Sequence, residues 1–419
     1  MAAASCATSM LSFLLWLVIL INRSAASTGG FSLPVLEVSA PPVLVQQEQL
    51  GGVNLTTIRP PMAQYGWSHA VQVGVGTGQG RNLYMLELDL TGDVTWMQCR
   101  PSDPQLQQAS PIFDTSMSHS YGDVGPRSPI CKAPYTPEAP NKCSFQLLFH
   151  GAFARGYLGT DDFSFASSSS SNGETIRGIV FGCAHKTQGF LNHGTLAGAL
   201  SMSRHPTSLM KQLTNHGVGQ FSYCLAAGGN SRGFLRFGGD VAHPSGARHT
   251  AIMYRGRMQQ EYRIRVTGVI LDGRKLIDIT PGMFRGSFGA RGGCVIDVGA
   301  PVSKMIHEAY EILETEVAAH LQGHGAHRVT VPDQRLCVLA TPDIRAHLPS
   351  MALQLYEGVN LEIKPQLMFM EVNHQGAQHL CLAIQPDDHN TVLGGMQQLT
   401  TQFIFDLANN VIFFAPEQS

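Results

Sequence analysis

The sequence predicts a mainly β protein assembled from two similar halves. Two observations carry this reading. Short runs rich in Val, Ile, Leu, Phe and Tyr recur along the chain between Gly-containing turns, and only one stretch has strong helical spacing. The same small arrangement also occurs twice. Tyr84-Met-Leu-Glu-Leu-Asp89 alternates as a strand and delivers a carboxylate to Leu90-Thr91-Gly92-Asp93, and Gly292-Gly-Cys-Val-Ile-Asp297 delivers another to Val298-Gly299-Ala300-Pro301. Two carboxylates that share a proton run acid–base hydrolysis without a metal or a covalent intermediate. Asp89 and Asp297 are therefore the candidate catalytic pair, and no cofactor is implied.

The totals set the frame. A chain of 419 residues buries a sizeable core as two or three compact units. Charged residues make up 14% and the formal net charge is -2, which favours neither nucleic acid nor an acidic membrane surface as partner. Leu11 to Ile21 is a nearly unbroken apolar run followed by Asn22-Arg-Ser-Ala-Ala26, too short to span a bilayer and ending in small residues. It reads as a secretory signal over residues 1–26, although no Lys or Arg precedes it, and a membrane anchor is the weaker reading. Of nine cysteines, Cys6 lies in this segment, and an even set of eight in an oxidising compartment favours disulfides. Neither a CxxC pair nor a paired Cys/His spacing supports zinc. Asn54-Leu-Thr56 is the one acceptable glycosylation sequon outside the signal.

In chain order, residues 27–62 are Pro-, Val- and Gln-rich without clear period and read as a loose leader or pro-segment, followed by globular halves over 63–240 and 241–419. Val71-Gln-Val-Gly-Val-Gly-Thr-Gly78 contains a GxGxG pattern, but strand-like alternation surrounds it and no helix follows, so a hairpin turn accounts for it better than a dinucleotide loop. Arg100 to Asn141 is a long Pro-rich loop that needs a staple, and Cys131 with Cys143 is the candidate. Cys143 to Leu158 reads as strand, turn, strand, with the turn around His150-Gly151. Pro206 to His216 has weak helical character, Gln220 to Leu225 and Phe234 to Gly238 read as strands, and Arg263 to Leu271 alternates cleanly. Lys304 to Leu321 is the strongest helix, with Ile306, Tyr310, Leu313 and Val317 near 3.6-residue spacing. Its His307 and His320 each have a glutamate one turn away, which is ordinary on a solvated helix face and does not make a metal site.

These residues together resemble the pepsin-like aspartic peptidases, in the plant nepenthesin-like branch, from about Tyr65 to Pro416. The matching segments are Thr95-Trp-Met-Gln-Cys99, Pro111-Ile-Phe-Asp114, Gly178-Ile-Val-Phe-Gly-Cys183, Phe221-Ser-Tyr-Cys-Leu225, Cys381-Leu-Ala-Ile384, and Leu393-Gly-Gly-Met-Gln-Gln398 running into Phe405-Asp-Leu and Phe414-Ala-Pro416. The resemblance implies two β lobes around a central peptide-binding cleft, one catalytic aspartate from each lobe, and a disulfide between Cys337 and Cys381. It leaves Cys294, where the family has a small polar residue, as an unpaired buried thiol.

In that family each aspartate sits in Asp-Thr/Ser-Gly-Ser/Thr. The first hydroxyl braces the two loops, the Gly lets an amide approach the carboxylate, and the last hydroxyl donates to the outer oxygen. Counted from Trp96, those four hydroxyl positions hold Leu90, Gly92, Val298 and Ala300 here, while Gly299 keeps the amide approach in the second loop; taking Leu90 as an insertion restores Thr91-Gly92 but requires a compensating deletion before Trp96. The hairpin that covers the cleft runs Leu148-Phe149-His-Gly, one residue short, with Phe149 where a tyrosine hydroxyl is expected. The hydrophobic-hydrophobic-Gly element beneath each aspartate is Ala199-Leu200-Ser201 in the first half but Val392-Leu393-Gly394 in the second, so the first half reads as the more degraded. Each hydrogen bond lost to an ionised group removes about 1.5–3 kcal/mol, which leaves a raised and poorly separated pair of pKa values. The expectation is an aspartic endopeptidase whose hydrolysis is weak or lost. The alternative is a noncatalytic secreted protein of the same fold that binds a peptide, a wall polymer or a glycosidase, as the xylanase-inhibitor branch does. A monomer in the extracellular space or the vacuole is expected in either case.

Overall fold

The computed structural model describes residues 30–38, 68–138, 140–149, 151–165, 174–190, 194–225, 233–253, 260–285 and 292–416. The signal region, the sequon at Asn54 and most of the leader lie outside them.

The alternation that marks the first aspartate strand is realised in Asn82–Asp89, where Leu86 and Leu88 enter the core and Glu87 and Asp89 share the opposite, half-buried face. Ser68–Val75 pairs antiparallel with it, from Ala70 opposite Glu87 to Val75 opposite Asn82. The Gly-rich stretch is thus the end of a β-hairpin.

Both halves then repeat one topology. Gly198–Ser201 runs parallel to the Asp89 strand and antiparallel to Trp96–Gln98, with Ser201 opposite Asp89. In the second half Thr391–Leu393 runs parallel to Cys294–Ile296, places Leu393 opposite Ile296, and is bridged antiparallel to Ser303–Ile306. Ser201 and Gly394 are therefore counterparts, each lying beside an aspartate.

The halves are joined by strands that neither half could assemble alone. Arg248–Ala251, Val411–Pro416, Thr401–Asp406, Gln220–Cys224, Gly233–Phe237 and Phe31–Val38 follow one another in a single sheet. Its inner face carries Phe221, Tyr223, Phe403 and Phe405, with Phe221 stacked on Phe405 at 4.5 Å between ring centroids. Phe31–Val38 corrects the reading of residues 27–62 as loose over that span: it pairs with Gly233–Phe237 on one side and Ser68–Val75 on the other, and Leu33 and Val35 are buried. Backbone pairing on both edges fixes a segment whose composition carries no period.

The long loop after Cys99 also differs from expectation, since it contains the short strands Gly122–Asp123 and Thr136–Glu138 and a 3₁₀ turn at Thr115–Met117. The hairpin around residue 150 is formed by Lys142–Phe149 and Ala152–Phe165, with Phe149 opposite Ala152 in the last pair before the turn. Gly151 there has φ +86°, a conformation that favours glycine. The helix begins three residues later than its spacing suggests, at His307–Gly323, because Ser303–Ile306 is taken up as a strand beside Ile384–Asp387. Tyr310, Leu313 and Val317 are buried as the spacing requires.

Three disulfides close the lobes: Cys99–Cys183, Cys131–Cys143 and Cys337–Cys381. Cys224 and Cys294 stay outside the disulfides as buried thiols, so six and not all eight cysteines pair, and burial pushes the Cys294 pKa up to about 12, leaving it inert at ordinary pH.

Candidate active site

The two aspartates stand at equivalent strand ends of the two halves, and the charge of Asp89 is close enough to act on the Asp297 carboxyl. Asp89 closes its own turn. Its Oδ1 accepts from the Thr91 amide at 2.8 Å, the Thr91 hydroxyl at 3.0 Å and the Gly92 amide at 2.9 Å, while Oδ2 accepts from no described residue. A side chain at position 92 is sterically excluded, because its Cβ would come to 2.2 Å from Asp89 Oδ2. Counted from Trp96, Gly92 stands at a lost hydroxyl position. The geometry shows that the hydroxyl has moved one residue back, to Thr91.

Beneath this loop, Ser201 does more than replace a glycine. Its amide donates to Thr95 Oγ1 at 3.0 Å, and its hydroxyl, with that of Ser203 at 2.7 Å, donates to the Gly92 carbonyl. The Met202 amide donates to the Asp89 carbonyl at 2.7 Å. The first loop is thus held from below by two hydroxyls, one of them on the Ser201 that replaces the family's glycine.

Asp297 is held more sparsely. Its Oδ1 accepts from the Gly299 amide at 2.9 Å, and the described residues supply no other donor to the carboxyl. Its own amide donates to the Leu393 carbonyl at 3.1 Å. Burial pushes this carboxyl from its ordinary 3.8 up to about 7; the neighbouring Asp89 carboxylate, Glu87 and Glu261 push the same way, and the Gly299 amide opposes them. Below about pH 7 Asp297 therefore holds a proton. Gly394, next to Leu393, admits no side chain, since a Cβ would meet the Val302 carbonyl carbon at 2.3 Å; its amide donates to Ser303 Oγ at 2.9 Å.

Leu90 and Val298, at the two positions that would brace the loops by hydroxyls, are buried in the core. Neither residue has a hydroxyl, so neither can give the directed hydrogen bond that a Thr or Ser at these positions provides. A second polar layer lies deeper, where the Tyr223 hydroxyl donates to Gln398 Oε1 at 2.5 Å and the Gln398 amide donates to the Leu393 carbonyl at 2.8 Å. Burial raises the Tyr223 pKa far above its usual value, so it stays a neutral donor. Ser203 has no place in the sequence reading, and Ser201, Tyr223 and Gln398 enter it only as members of the quoted segments, without these roles.

Trp96 is buried against Phe190, 5.1 Å between ring centroids, and is a core residue beside the cleft. Phe149 sits on the backbone of the hairpin end. Among the described residues, no group of three or more His, Cys, Asp or Glu side chains is placed to hold a metal ion. No helix among them is long and apolar enough to cross a membrane.

Two β lobes of repeated topology, joined by a common sheet and each bringing one aspartate to a strand end beside the other, have the architecture of the pepsin-like aspartic peptidase class. The chain belongs to the plant branch of that family: residues 70–239 match the family described as xylanase inhibitor N-terminal and residues 261–416 that described as xylanase inhibitor C-terminal. It is similar to aspartic protease in guard cell 2 of Arabidopsis thaliana, 26% identical over 85% of this chain and 73% of the relative. It is also similar to aspartic proteinase nepenthesin-2 of Nepenthes gracilis, 27% identical over 86% of this chain and 80% of that one. Among solved structures, EDGP superposes with a TM-score of 0.67 at 17% identity, covering 93% of this chain and 95% of that one. Basic 7S globulin from soybean superposes with the same TM-score at 19% identity, covering 92% and 96%. The pepsin-like fold suggests that a peptide occupies the cleft.

Proposed function

We propose that this protein is a secreted acid endopeptidase of low turnover. In the proposed reaction, Asp89 takes a proton from the attacking water while Asp297 gives its proton to the scissile carbonyl oxygen. The tetrahedral intermediate then collapses with a proton passed to the leaving amine. The observation that carries this reading is the asymmetry of the pair. Asp89 is held by three donors and Asp297 is raised to about 7, a division into base and acid without which the chemistry has no starting state. The low rate follows from Leu90, Val298 and Ala300: with no hydroxyl bracing the loops or reaching Asp297, the carboxyls are less firmly oriented, and misplacement by about 1 Å costs on the order of a hundredfold. Secretion is supported by the three disulfides, which persist in oxidising compartments.

A second reading is favoured by one observation. The loop-bracing positions are filled by buried Leu90 and Val298, as suits a cleft that binds without cutting. Under it, the protein holds an extracellular partner, with a glycosidase suggested by the xylanase-inhibitor description of the matched family.

The deciding experiment measures cleavage of an unstructured protein by the purified mature chain from pH 2 to 6, beside Asp297→Ala. Activity that disappears in the variant supports the peptidase. Equal background rates in both proteins, with both shown to be folded, sink it in favour of the binding reading.

A further inference from the structure

Far from the aspartates, the sheet that joins the lobes has an outer face, and a cavity of about 440 Å³ opens on it. Phe234 and Arg236 come from the strand Gly233–Phe237, Gln402 from Thr401–Asp406, and His243 and Ser245 from the turn that crosses beneath. Strand alternation places Phe234 and Arg236 on one face, opposite the inward Leu235 and Phe237. The Gln402 amide fixes the turn by donating to the Ala242 carbonyl at 3.1 Å, and His243 Nε2 donates to Gln220 Oε1 at 3.1 Å.

Arg236 is the group that needs an explanation. Its guanidinium lies over the Phe234 ring, 3.9 Å from the centroid, and is half-buried, yet it forms no ion pair or hydrogen bond with a described residue. Asp240 on the adjoining turn is engaged instead by Ser32 Oγ at 2.7 Å. Directly opposite Arg236 in the register is Ser222, fully buried, whose hydroxyl also hydrogen-bonds no described residue. A cation pre-stacked on an aromatic ring has one preferred orientation, so its planar N–H donors are already arranged for a planar anion. Phe234, Ala242 and Pro244 supply apolar wall. The volume falls within the roughly 300–1,000 Å³ of ligand pockets, and the rest of the lining is polar, with Arg236, His243, Ser245 and Gln402 facing the space.

We propose that this basal cavity binds a small carboxylate carried on a ring, with the carboxylate taken by Arg236 and the ring lying against the apolar wall. Two sources share that chemistry, an aromatic acid and a sugar uronate. The site is independent of the peptidase reading, since it lies on the face of the joining sheet opposite Tyr223 and Phe405.

The test titrates the full mature chain with 4-hydroxybenzoate and, separately, with D-glucuronate, by calorimetry or by NMR of the Arg236 guanidinium. Saturable binding of one or both, with Kd of about 0.1–1 mM or tighter as expected for so few atoms, is the supporting result and identifies the source. Arg236→Gln should weaken it at least about tenfold, and Arg236→Lys should also weaken it, because a lysine cannot reproduce a two-point contact. Ser245→Ala, on an exposed turn, serves as a mild second variant with an expected loss of about twofold to fivefold. The proposal is overturned if neither acid binds saturably, or if an Arg236→Gln protein with wild-type melting behaviour binds as tightly as the parent.

Discussion

The two aspartate loops answer the same architectural demand with different materials. The first loop lost its consensus residues and rebuilt its support: the Thr91 hydroxyl and two amides hold Asp89 from above, and Ser201 and Ser203 hold the Gly92 carbonyl from below. The second loop kept its glycines, Gly299 and Gly394, yet holds Asp297 by a single amide. By pattern the first half is the more degraded, but by hydrogen bonding the second carboxylate is the less supported. Conformity to a motif and support of a carboxylate are separate properties, because a hydroxyl donates equally well from a neighbouring position once the backbone turns it inward.

Substitution at the counterpart positions tests this contrast most severely. Gly394→Ala forces a Cβ to within 2.3 Å of the Val302 backbone, which cannot yield. We expect a loss of about 3–5 kcal/mol or failure to fold. Ser201→Gly, at the equivalent place, should cost only about 1–2 kcal/mol through its lost hydrogen bonds. Similar losses in denaturant unfolding of the two variants would break the comparison.

The pH dependence of stability comes next. The folded pKa of Asp297, about 7, lies above its ordinary 3.8, so the native state binds the extra proton. The sign follows: the stability this group contributes is fully present below about pH 4 and is lost as pH rises through 7. Spanning about three pKa units, the loss is at most about 4 kcal/mol. Asp297→Asn, neutral throughout, should flatten this slope and be more stable than the wild type at pH 7.5 but not at pH 4. Parallel stability curves for the two proteins between those values would contradict the assignment of the proton to Asp297.

Ala300→Thr sharpens the comparison by giving the second loop the hydroxyl it lacks. A new donor to the Asp297 carboxyl should raise the cleavage rate about tenfold, a change of about 1.4 kcal/mol in barrier. An unchanged rate would mean that orientation of Asp297 is not what limits turnover. The smallest effect is expected for Thr91→Val, which removes one of three donors to Asp89 and should cost about 1 kcal/mol in equilibrium unfolding. A null result there would return the Thr91 hydroxyl to the status of a bystander.

Much of the fold was legible because its signals are local. Alternation in Asn82–Asp89 and the spacing of Tyr310, Leu313 and Val317 reflect which face each residue must bury, and a single strand or helix suffices to express it. The helix start was misread because Lys304 to Ile306 satisfies helical spacing as well as strand pairing, and the neighbouring Ile384–Asp387 strand decides between them. Phe31–Val38 was misread for the converse reason: its partners lie more than thirty residues away on one side and about two hundred on the other.

By itself, then, the sequence determined the β architecture, the twofold repeat, the identity of the two aspartates and the absence of hydroxyls at Leu90, Val298 and Ala300, all of which are written in residue type and short-range order. Tertiary structure alone decided that Cys99 pairs with Cys183, 84 residues away, and it placed Phe31–Val38 in the joining sheet and turned Thr91 toward Asp89. It also decided that Asp297 titrates far above an ordinary carboxylate. That property requires burial and a second carboxylate delivered from the other half of the chain, and no local stretch of sequence contains either.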